Sequence, residues 1–388
     1  MSVAGSQQRT FLRLVGQLRP HWRSDAALPS RIQSLLAAHR EFGARDRRLY
    51  RELIYTTLRF LPWIEPLLEP QPDEAARRVA WLAAETPATR AFRAAFASGD
   101  FPRGDPAELL PAWFRDHCPE LFTSPELDAQ LRRAPLWLRL QTDDPKRVHD
   151  EFAGLGWSWR PSAVLADALE VKGDVDVTRS RAWMEGLVEV QDLGSQLILA
   201  SVGVEPGGRW LDACAGAGGK TLQLARLVGR SGQIDAHDIR PAALAELRIR
   251  VARAGISHVR TRAQPDAAGY DGVLVDAPCS GTGTWRRAPH LKWVTTETQV
   301  ARAAETQRAL LRQFSAFVRP GGRLVYATCS LSQRENQAVL ATFLAEHDAF
   351  TPESFGRTFG FETSAGGVTI WPARHDTDGF FAASLRRR

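Results

Sequence analysis

The chain has 388 residues, 44% of them hydrophobic, which suits two or three globular domains with sizeable cores. The formal charge is +6, yet residues 1–60 alone, with eleven arginines against Asp25, Glu41, Asp46 and Glu52, carry +7, so the basic excess sits at the amino end and points to a polyanion, nucleic acid first. No run of about eighteen apolar residues occurs, the opening "MSVAGSQQRTFLRLVGQLRPHW" lacks a signal-peptide core, and Cys118, Cys214, Cys279 and Cys329 form no CxxC pair; these features argue against a membrane span, secretion, a disulfide framework and a structural zinc, and make the cytoplasm the expected compartment.

Residues 10–95 read as helices. Apolar positions in "SRIQSLLAAHREFGARDRRLYRELIYTTLRFLPWIEPLL" recur at three- and four-residue spacing, with Gly43 and Pro62 as punctuation. A helical domain is expected over 1–96, followed by a connection over 97–133 whose first part, Ala97–Pro111, is rich in proline, glycine and aspartate. From about Ala134 the pattern changes. "PLWLRLQT" alternates as a strand, "PKRVHDEFAGLGW" reads as a helix ending near glycine, and "SAVLADALEVKG" resumes an apolar run, which predicts a small α/β module over 134–187.

From Val188 onward, short apolar runs alternate with helical stretches. "GRWLDACAG", "GQIDAHD", "YDGVLVDAP" and "GGRLVYATCS" read as strands; "GKTLQLARLVG", "PAALAELRIRVARAG" and "TETQVARAAETQRALLRQFSAFV" read as helices. The alternation predicts an α/β fold over 188–388, a doubly wound and mostly parallel sheet whose ligands bind outside the carboxyl ends of the strands.

"LDACAGAGGKTLQLA" places Gly216, Gly218 and Gly219 between a strand and a helix, where glycine permits a tight turn and close backbone approach to a ligand. A nucleotide-phosphate loop would need glycine five positions before Gly219, and Cys214 stands there. A dinucleotide loop lacks its last glycine. Asp238, nineteen residues after Gly219 at the end of the next strand, is placed to accept hydrogen bonds from ribose hydroxyls. Together these suit a nucleoside cofactor without a pyrophosphate, such as S-adenosylmethionine.

Cys279, in "DAPCSGTG", and Cys329, in "YATCSL", each follow a strand-like run and each precede a serine. If their strands are neighbours, both thiols reach one crevice. A lone buried cysteine is usually a small hydrophobe; two at strand ends beside a cofactor loop suggest attack on an unreactive pyrimidine carbon. A thiolate adding to carbon 6 of cytosine makes carbon 5 nucleophilic, and a second group helps remove the carbon 5 proton and expel the enzyme. Asp276, at a strand end, is placed to hold the base edge. The chain has 46 arginines and only four lysines, Lys146, Lys172, Lys220 and Lys292. Two of these lie in the motif segments, which hints at a need for a compact ammonium there.

These residues resemble a known family. "QDLGSQL", "LDACAGAGGKT", "DGVLVDAPCSGTGTWRRAPHLKW", "GGRLVYATCSL" and "DGFFAASL", in that order, are similar to the bacterial RNA (cytosine-5)-methyltransferases of the 16S ribosomal RNA type, the RsmB/Sun group. The first 95 residues more weakly resemble the helical NusB-like RNA-binding domain of some members, and the middle module resembles the family's small RNA-recognition-like subdomain. The resemblance implies a Rossmann-like methyltransferase domain, S-adenosylmethionine as cofactor and RNA as partner; no metal is expected from the cysteine spacing, and a monomer is the default expectation. It implies Cys329 as nucleophile and Cys279 in product release. Cys214, Ala215, Gly216, Ala217, Gly218, Gly219 and Lys220 would line the methionine part of the cofactor, Asp238 the ribose, and Asp276 the methionine amine or the target base. Expected phosphate contacts are Arg45, Arg47 and Arg48 in the first domain and Arg286, Arg287 and Lys292 in the "WRRAPHLKW" block. The chain departs from the family at Ala217, where proline is usual, at His290, where an acid is usual, and near the third strand, where the adenine-contacting acid aligns with Gln264 and Asp266 stands nearby. The alternatives are a tRNA or DNA cytosine methyltransferase, the DNA enzyme using Cys279 as nucleophile, and a cofactor-binding RNA scaffold without turnover.

Overall fold

A computed structural model describes residues 2–99, 101, 104–267, 269–364 and 366–388. The chain packs as two compact units. One comprises the chain up to Arg132 together with Trp285–Thr296; the other comprises Arg133–Thr284 and Glu297–Arg388.

The first unit is helical, with Val3–Leu18, Leu28–Ala38, Ala44–Arg59, Pro72–Leu82 and Arg90–Phe96 as its longer helices. Ala44–Arg59 shows why the periodic sequence folds this way. Gly43 donates its N–H to the Asp46 carboxylate at 3.1 Å, closing the start. Leu49, Leu53, Ile54 and Leu58 then bury on one face against Phe11, Leu14, Val79 and Phe92, while Arg45, Arg47 and Arg48 stay exposed. The expected break at 96/97 is absent. Residues 100, 102 and 103 of the expected linker lie outside the described residues, but Asp105 caps a short turn over Pro106–Leu109, and Leu109 belongs to the helical core. Trp285–Thr296, expected within the catalytic domain, packs here too. Trp285 is buried with its ring 4.7 Å from that of Phe114, Trp293 Nε1 donates to the Leu58 carbonyl at 2.7 Å, and Lys292 Nζ donates to the Arg59 carbonyl at 2.9 Å.

In the second unit, β1 (Leu136–Leu140), β2 (Trp159–Pro161), β3 (Ala168–Val171) and β4 (Val188–Val190) form an antiparallel sheet in the order β2-β3-β1-β4. The module therefore extends past the expected end at 187. The large sheet holds β5 (Arg209–Asp212), β6 (Gln233–Ala236), β7 (Val259–Thr261), β8 (Tyr270–Asp276), β9 (Val318–Thr328), β10 (Phe350–Pro352), β11 (Thr363–Ser364), β12 (Gly367–Ile370) and β13 (Phe380–Arg387). Its order is β7-β6-β5-β8-β9-β13-β12-β11, with β10 on β13; the pairs from β7 to β9 are parallel and those beyond β9 antiparallel. This is the Rossmann-like, mostly parallel sheet of the sequence reading, with an antiparallel tail that the reading did not include. The order reverses at β5, so the crevice lies between the carboxyl ends of β5 and β8. Among the described residues no helix is long and apolar enough to cross a membrane.

Lys292 sits almost without solvent in the helical unit, and burial, with Arg59 facing it, pushes its pKa well below the ordinary lysine value. Between that lowered value and the ordinary ~10.4 the unfolded chain holds a proton that the folded one does not, so stability rises with pH across the window. Lys292→Met removes this penalty. Thermal melts of the full chain should show the variant melting above the parent at pH 7, on the order of 3 °C for each ~1 kcal/mol relieved, with the two converging as pH approaches 10. A variant that melts lower at every pH would contradict this.

Candidate active site

β8 and β9 run in parallel with Asp276 opposite Ala327, so the chain leaves both strands at one edge of the sheet. Cys279 and Cys329, fifty residues apart in sequence, meet there with their sulfurs 3.2 Å apart, and both are partly exposed. The Cys279 thiol is pushed well above the ordinary cysteine pKa by its hydrogen bond to Cys329, by burial and by the nearby Cys329 and Glu335 charges. The two sulfurs lie within hydrogen-bond distance, and either can be the donor.

Glu335, which the sequence reading passed over, ties the two cysteine loops together. It is fully buried. Its Oε1 accepts the Ser280 N–H at 2.8 Å and Gln307 Nε2 at 3.0 Å; its Oε2 accepts Ser330 Oγ at 2.6 Å and, more closely, Ser280 Oγ. The serine after each cysteine thus converges on one carboxylate. Two further bonds lock the loops: Gly283 N–H donates to the Cys329 carbonyl at 3.0 Å, and Leu331 N–H to Thr282 Oγ1 at 3.0 Å. A side chain at Gly283 would meet the Gly379 carbonyl oxygen at 2.0 Å, which explains glycine there.

The glycine loop follows β5 as expected. Gly216 and Gly218 take left-handed backbone angles, φ +53° and +93°, and a side chain at Gly219 would meet nothing within 4 Å, so open space faces the loop. Ala217 occupies the turn without disturbing it: its carbonyl accepts Arg250 Nη1 at 2.7 Å. Cys214 and Ala215 are packed in the body of the fold, and burial pushes the Cys214 thiol up, out of nucleophilic range. Lys220, on the first turn of helix Gly219–Val228, donates to Asp276 at 2.8 Å. Burial opposes its charge, but Asp276, Cys329 and Asp212 outweigh it and hold its pKa above the ordinary lysine value. Asp212, at the end of β5, is pushed up to about 7 by burial; its Oδ2 accepts Thr221 Oγ1 at 2.7 Å, whereas Oδ1 is buried with no hydrogen-bond partner among the described residues.

Asp238 stands at the carboxyl end of β6 as expected. It accepts Gly216 N–H at 2.8 Å and is gripped by Arg240, so that, against the cost of burial, its carboxyl stays below the ordinary range. The next residue, Ile239, is 87% exposed and is a further candidate the sequence reading missed. An apolar side chain left in solvent beside an acidic strand end is a signal only once the fold is known. Gln264 lies exposed beyond β7, and Asp266 is turned away from the crevice: it pairs at 2.9 Å with Arg209, at the amino end of β5. Asp192 also went unnoticed. It accepts Gly194 N–H at 2.8 Å, Asp378 N–H at 3.2 Å and the Thr377 hydroxyl, joining the "QDLGSQ" and "DTDGFF" segments.

Of the expected phosphate contacts, Arg45, Arg47, Arg48 and Arg287 are exposed, but Arg286 and Lys292 are not: each is at most 2% exposed in the helical unit and bonds backbone carbonyls, so neither reaches a phosphate. Among the described residues no group of three or more His, Cys, Asp or Glu could hold a metal ion.

Comparison with known proteins agrees with this geometry. The family described as 16S rRNA methyltransferase RsmB/F matches residues 199–386. The chain is 33% identical over 255 residues to the probable ribosomal RNA small subunit methyltransferase B of Synechocystis, covering 62% of this chain and 57% of that one. It is 32% identical over 278 residues to the ribosomal RNA small subunit methyltransferase B of Vibrio cholerae, covering 68% and 61%. The chain therefore spans about three fifths of the length of these curated relatives. The solved structure of a methyltransferase homolog protein from Pyrococcus horikoshii superposes with a TM-score of 0.59 at 26% identity, covering 71% of this chain and 93% of that one.

Gly218 tests the loop. A side chain there would stand 2.1 Å from Leu247 Cδ1, at a φ of +93° that disfavours any residue but glycine. Gly218→Ala should cost about 1–3 kcal/mol of stability in urea denaturation; an unchanged midpoint would show that the loop relaxes freely.

Proposed function

Through residues 199–386 the chain belongs to the RsmB/F methyltransferase family, and on that premise we propose that it methylates carbon 5 of a cytosine in RNA, with small-subunit ribosomal RNA as substrate. The observation that carries the reading is the pair of sulfurs 3.2 Å apart beside the glycine loop. Such a pair has a use in adding to and leaving from a pyrimidine, and none in a cofactor-binding scaffold.

The residues at the crevice fit S-adenosylmethionine. Open space faces the loop at Gly219, Asp212 Oδ1 is a buried acceptor with no partner among the described residues, and Ile239 offers an exposed apolar surface next to Asp238. Asp238 would take the ribose, Ile239 the adenine face, and Asp212 the methionine amine. Gln264 and Asp266 are not needed for the adenine. When bound, the cofactor supplies an electrophilic methyl group on sulfur.

The chain's own residues supply the rest. Asp276, oriented by Lys220, holds the edge of the target base. The Lys220 ammonium faces Cys329, the sulfur that attacks. The Cys329 sulfur bonds to carbon 6, and the ring's electrons then make carbon 5 the nucleophile. While Cys329 is anionic, Cys279 stays a thiol. Once Cys329 has spent its charge in the new bond, the main cause holding the proton on Cys279 is gone. Cys279 can then release its proton to solvent and, as a thiolate, take the carbon 5 proton as the carbon 6–sulfur bond breaks and the electron pair returns to Cys329. The base must leave its stack first, and Arg45, Arg47, Arg48 and Arg287, exposed cations of the helical unit, would meet phosphates.

The test is methyl incorporation into unmodified 16S ribosomal RNA and into DNA of the same sequence. Cys329→Ala should abolish incorporation, at least a thousandfold, whereas Cys279→Ala should accumulate a covalent RNA–protein complex visible on denaturing gels. Turnover by Cys329→Ala with an adduct formed through Cys279 would reverse the roles, and cofactor binding without incorporation by the parent would favour the scaffold.

A further inference from the structure

We propose that Glu335 is a positioning residue for both thiols, setting their spacing and keeping Cys279 in its proton-bearing role until Cys329 has attacked. The proposal rests on the reading of Cys329 as nucleophile and Cys279 as the releasing group. Nothing about Glu335 reaches substrate. It is fully buried, and its carboxylate is spent on Ser280, Ser330 and Gln307. These are residues next to the sulfurs, which makes the carboxylate the joint between two loops that leave different strands.

A buried carboxylate is a costly joint. An uncharged amide could accept some of the same bonds without the penalty of desolvating an anion. Here four hydrogen bonds offset that penalty, two of them from hydroxyls and one from a backbone N–H. The charge itself has a consequence that neutral packing would lack. The Cys279 thiolate is disfavoured first by its hydrogen bond to Cys329, then by burial and the Cys329 charge, and Glu335 adds to these; Tyr326, whose hydroxyl donates to the Glu335 carbonyl at 2.5 Å, is kept protonated chiefly by burial, with Cys279 and Glu335 adding to it. Asn336, beside Glu335, donates Nδ2 to the Ser330 carbonyl at 2.8 Å and accepts Thr328 Oγ1 at 2.7 Å, so the segment after Cys329 is pinned on both sides of the carboxylate. Spacing and charge thus come from one side chain. Two anionic sulfurs 3.2 Å apart would repel; Glu335 adds to the hydrogen bond, the burial and the Cys329 charge that keep the proton on Cys279.

The experiment compares the full chain with Glu335→Gln and Glu335→Asp. Iodoacetamide labelling of Cys279, followed by peptide mass spectrometry from pH 6 to 10, reads the thiol directly and needs no RNA. In the parent, labelling of Cys279 should rise only above the ordinary thiol range, about pH 8.5. In Glu335→Gln, which keeps an acceptor but removes the charge, the onset should move at least one pH unit lower. Glu335→Asp should restore the parental onset in part. With 16S ribosomal RNA and methyl-labelled cofactor, Glu335→Gln should lose at least tenfold in kcat with KM for the cofactor changed less than twofold. An unmoved labelling profile, or parental kcat, in a folded Glu335→Gln would overturn the proposal. So would a variant whose cofactor KM rises together with the loss in kcat, since the defect would then be general. If the parent labels as described but never methylates, the methyltransferase reading fails while the effect of Glu335 on Cys279 stands.

Discussion

The site depends on the parallel register between β8 and β9. With Asp276 opposite Ala327, the residues that follow leave the sheet side by side, and the chemistry-bearing side chains need only two or three more residues to meet. A slip of one residue would turn every side chain of one strand to the other face. Asp276 would then lose Lys220, and the two sulfurs would part. The register is held from beyond the site as well: β9 pairs on its far side with β13 over six residues, from Thr328 opposite Phe381 to Arg323 opposite Arg386. The antiparallel tail therefore supports the strand that leads to Cys329. Gly379, just before β13, donates its N–H to the Gly283 carbonyl at 2.7 Å. Three backbone segments from different parts of the sheet meet at one point, and only glycine at 283 lets them.

Charge at the site follows from that packing. Each ionisable group faces another, and few have water to relieve them. Lys220 stands among Asp276, Asp212 and Cys329, which hold its ammonium charged against the cost of burial. Asp212, with no cation bonded to it, is the carboxyl most easily protonated. Glu335 is the opposite case, an anion surrounded by donors. The retained lysine at position 220 is a compact ammonium that makes a single bond to Asp276. At position 292 the explanation differs. That lysine is buried, and it serves the packing of the helical unit rather than any ligand.

Much of this was legible in the order of residues. Short apolar runs between periodic stretches gave β5, β6, β8 and β9, because buried parallel strands are hydrophobic on both faces. The rule that ligands gather at carboxyl strand ends then placed Cys279, Cys329, Asp276 and Asp238 near one crevice. What escaped has a common physical cause. Glu335, Asp192 and Ile239 lie in irregular segments, where no periodicity marks a side chain as buried or aimed. Arg286 and Lys292 were read as surface cations because such residues almost never bury fully, and only the fold shows carbonyls of Arg132 and Arg59 waiting for them. The placement of Trp285–Thr296 with the helices was beyond local pattern altogether. Twelve residues between a strand-end loop and a long helix carry no period of their own, and their tryptophans declare burial but not the partner.

The small sheet bears on how the chain would read RNA. Modules of the RNA-recognition kind stack bases on aromatic side chains across an open sheet face. Here neither face is open. Leu138, Leu140, Leu169 and Val171 bury against Val148 and Phe152 of helix Pro145–Gly154, while Trp137 and Ala168, on the other face, join the cluster of Leu193, Leu197, Ile370 and Phe380. Trp137 also gives its indole N–H to the Asp376 carbonyl at 2.9 Å. The sheet instead supports the helix that begins with the glycine loop: Gln141 Nε2 donates to the Leu222 carbonyl at 3.1 Å, and Arg226 Nη2 to that of Thr142 at 2.9 Å. A helix held at its flank keeps its first turn, and with it Lys220, in place. In this chain the middle module braces the helix that follows the glycine loop, and base stacking on its sheet has no surface to occur on.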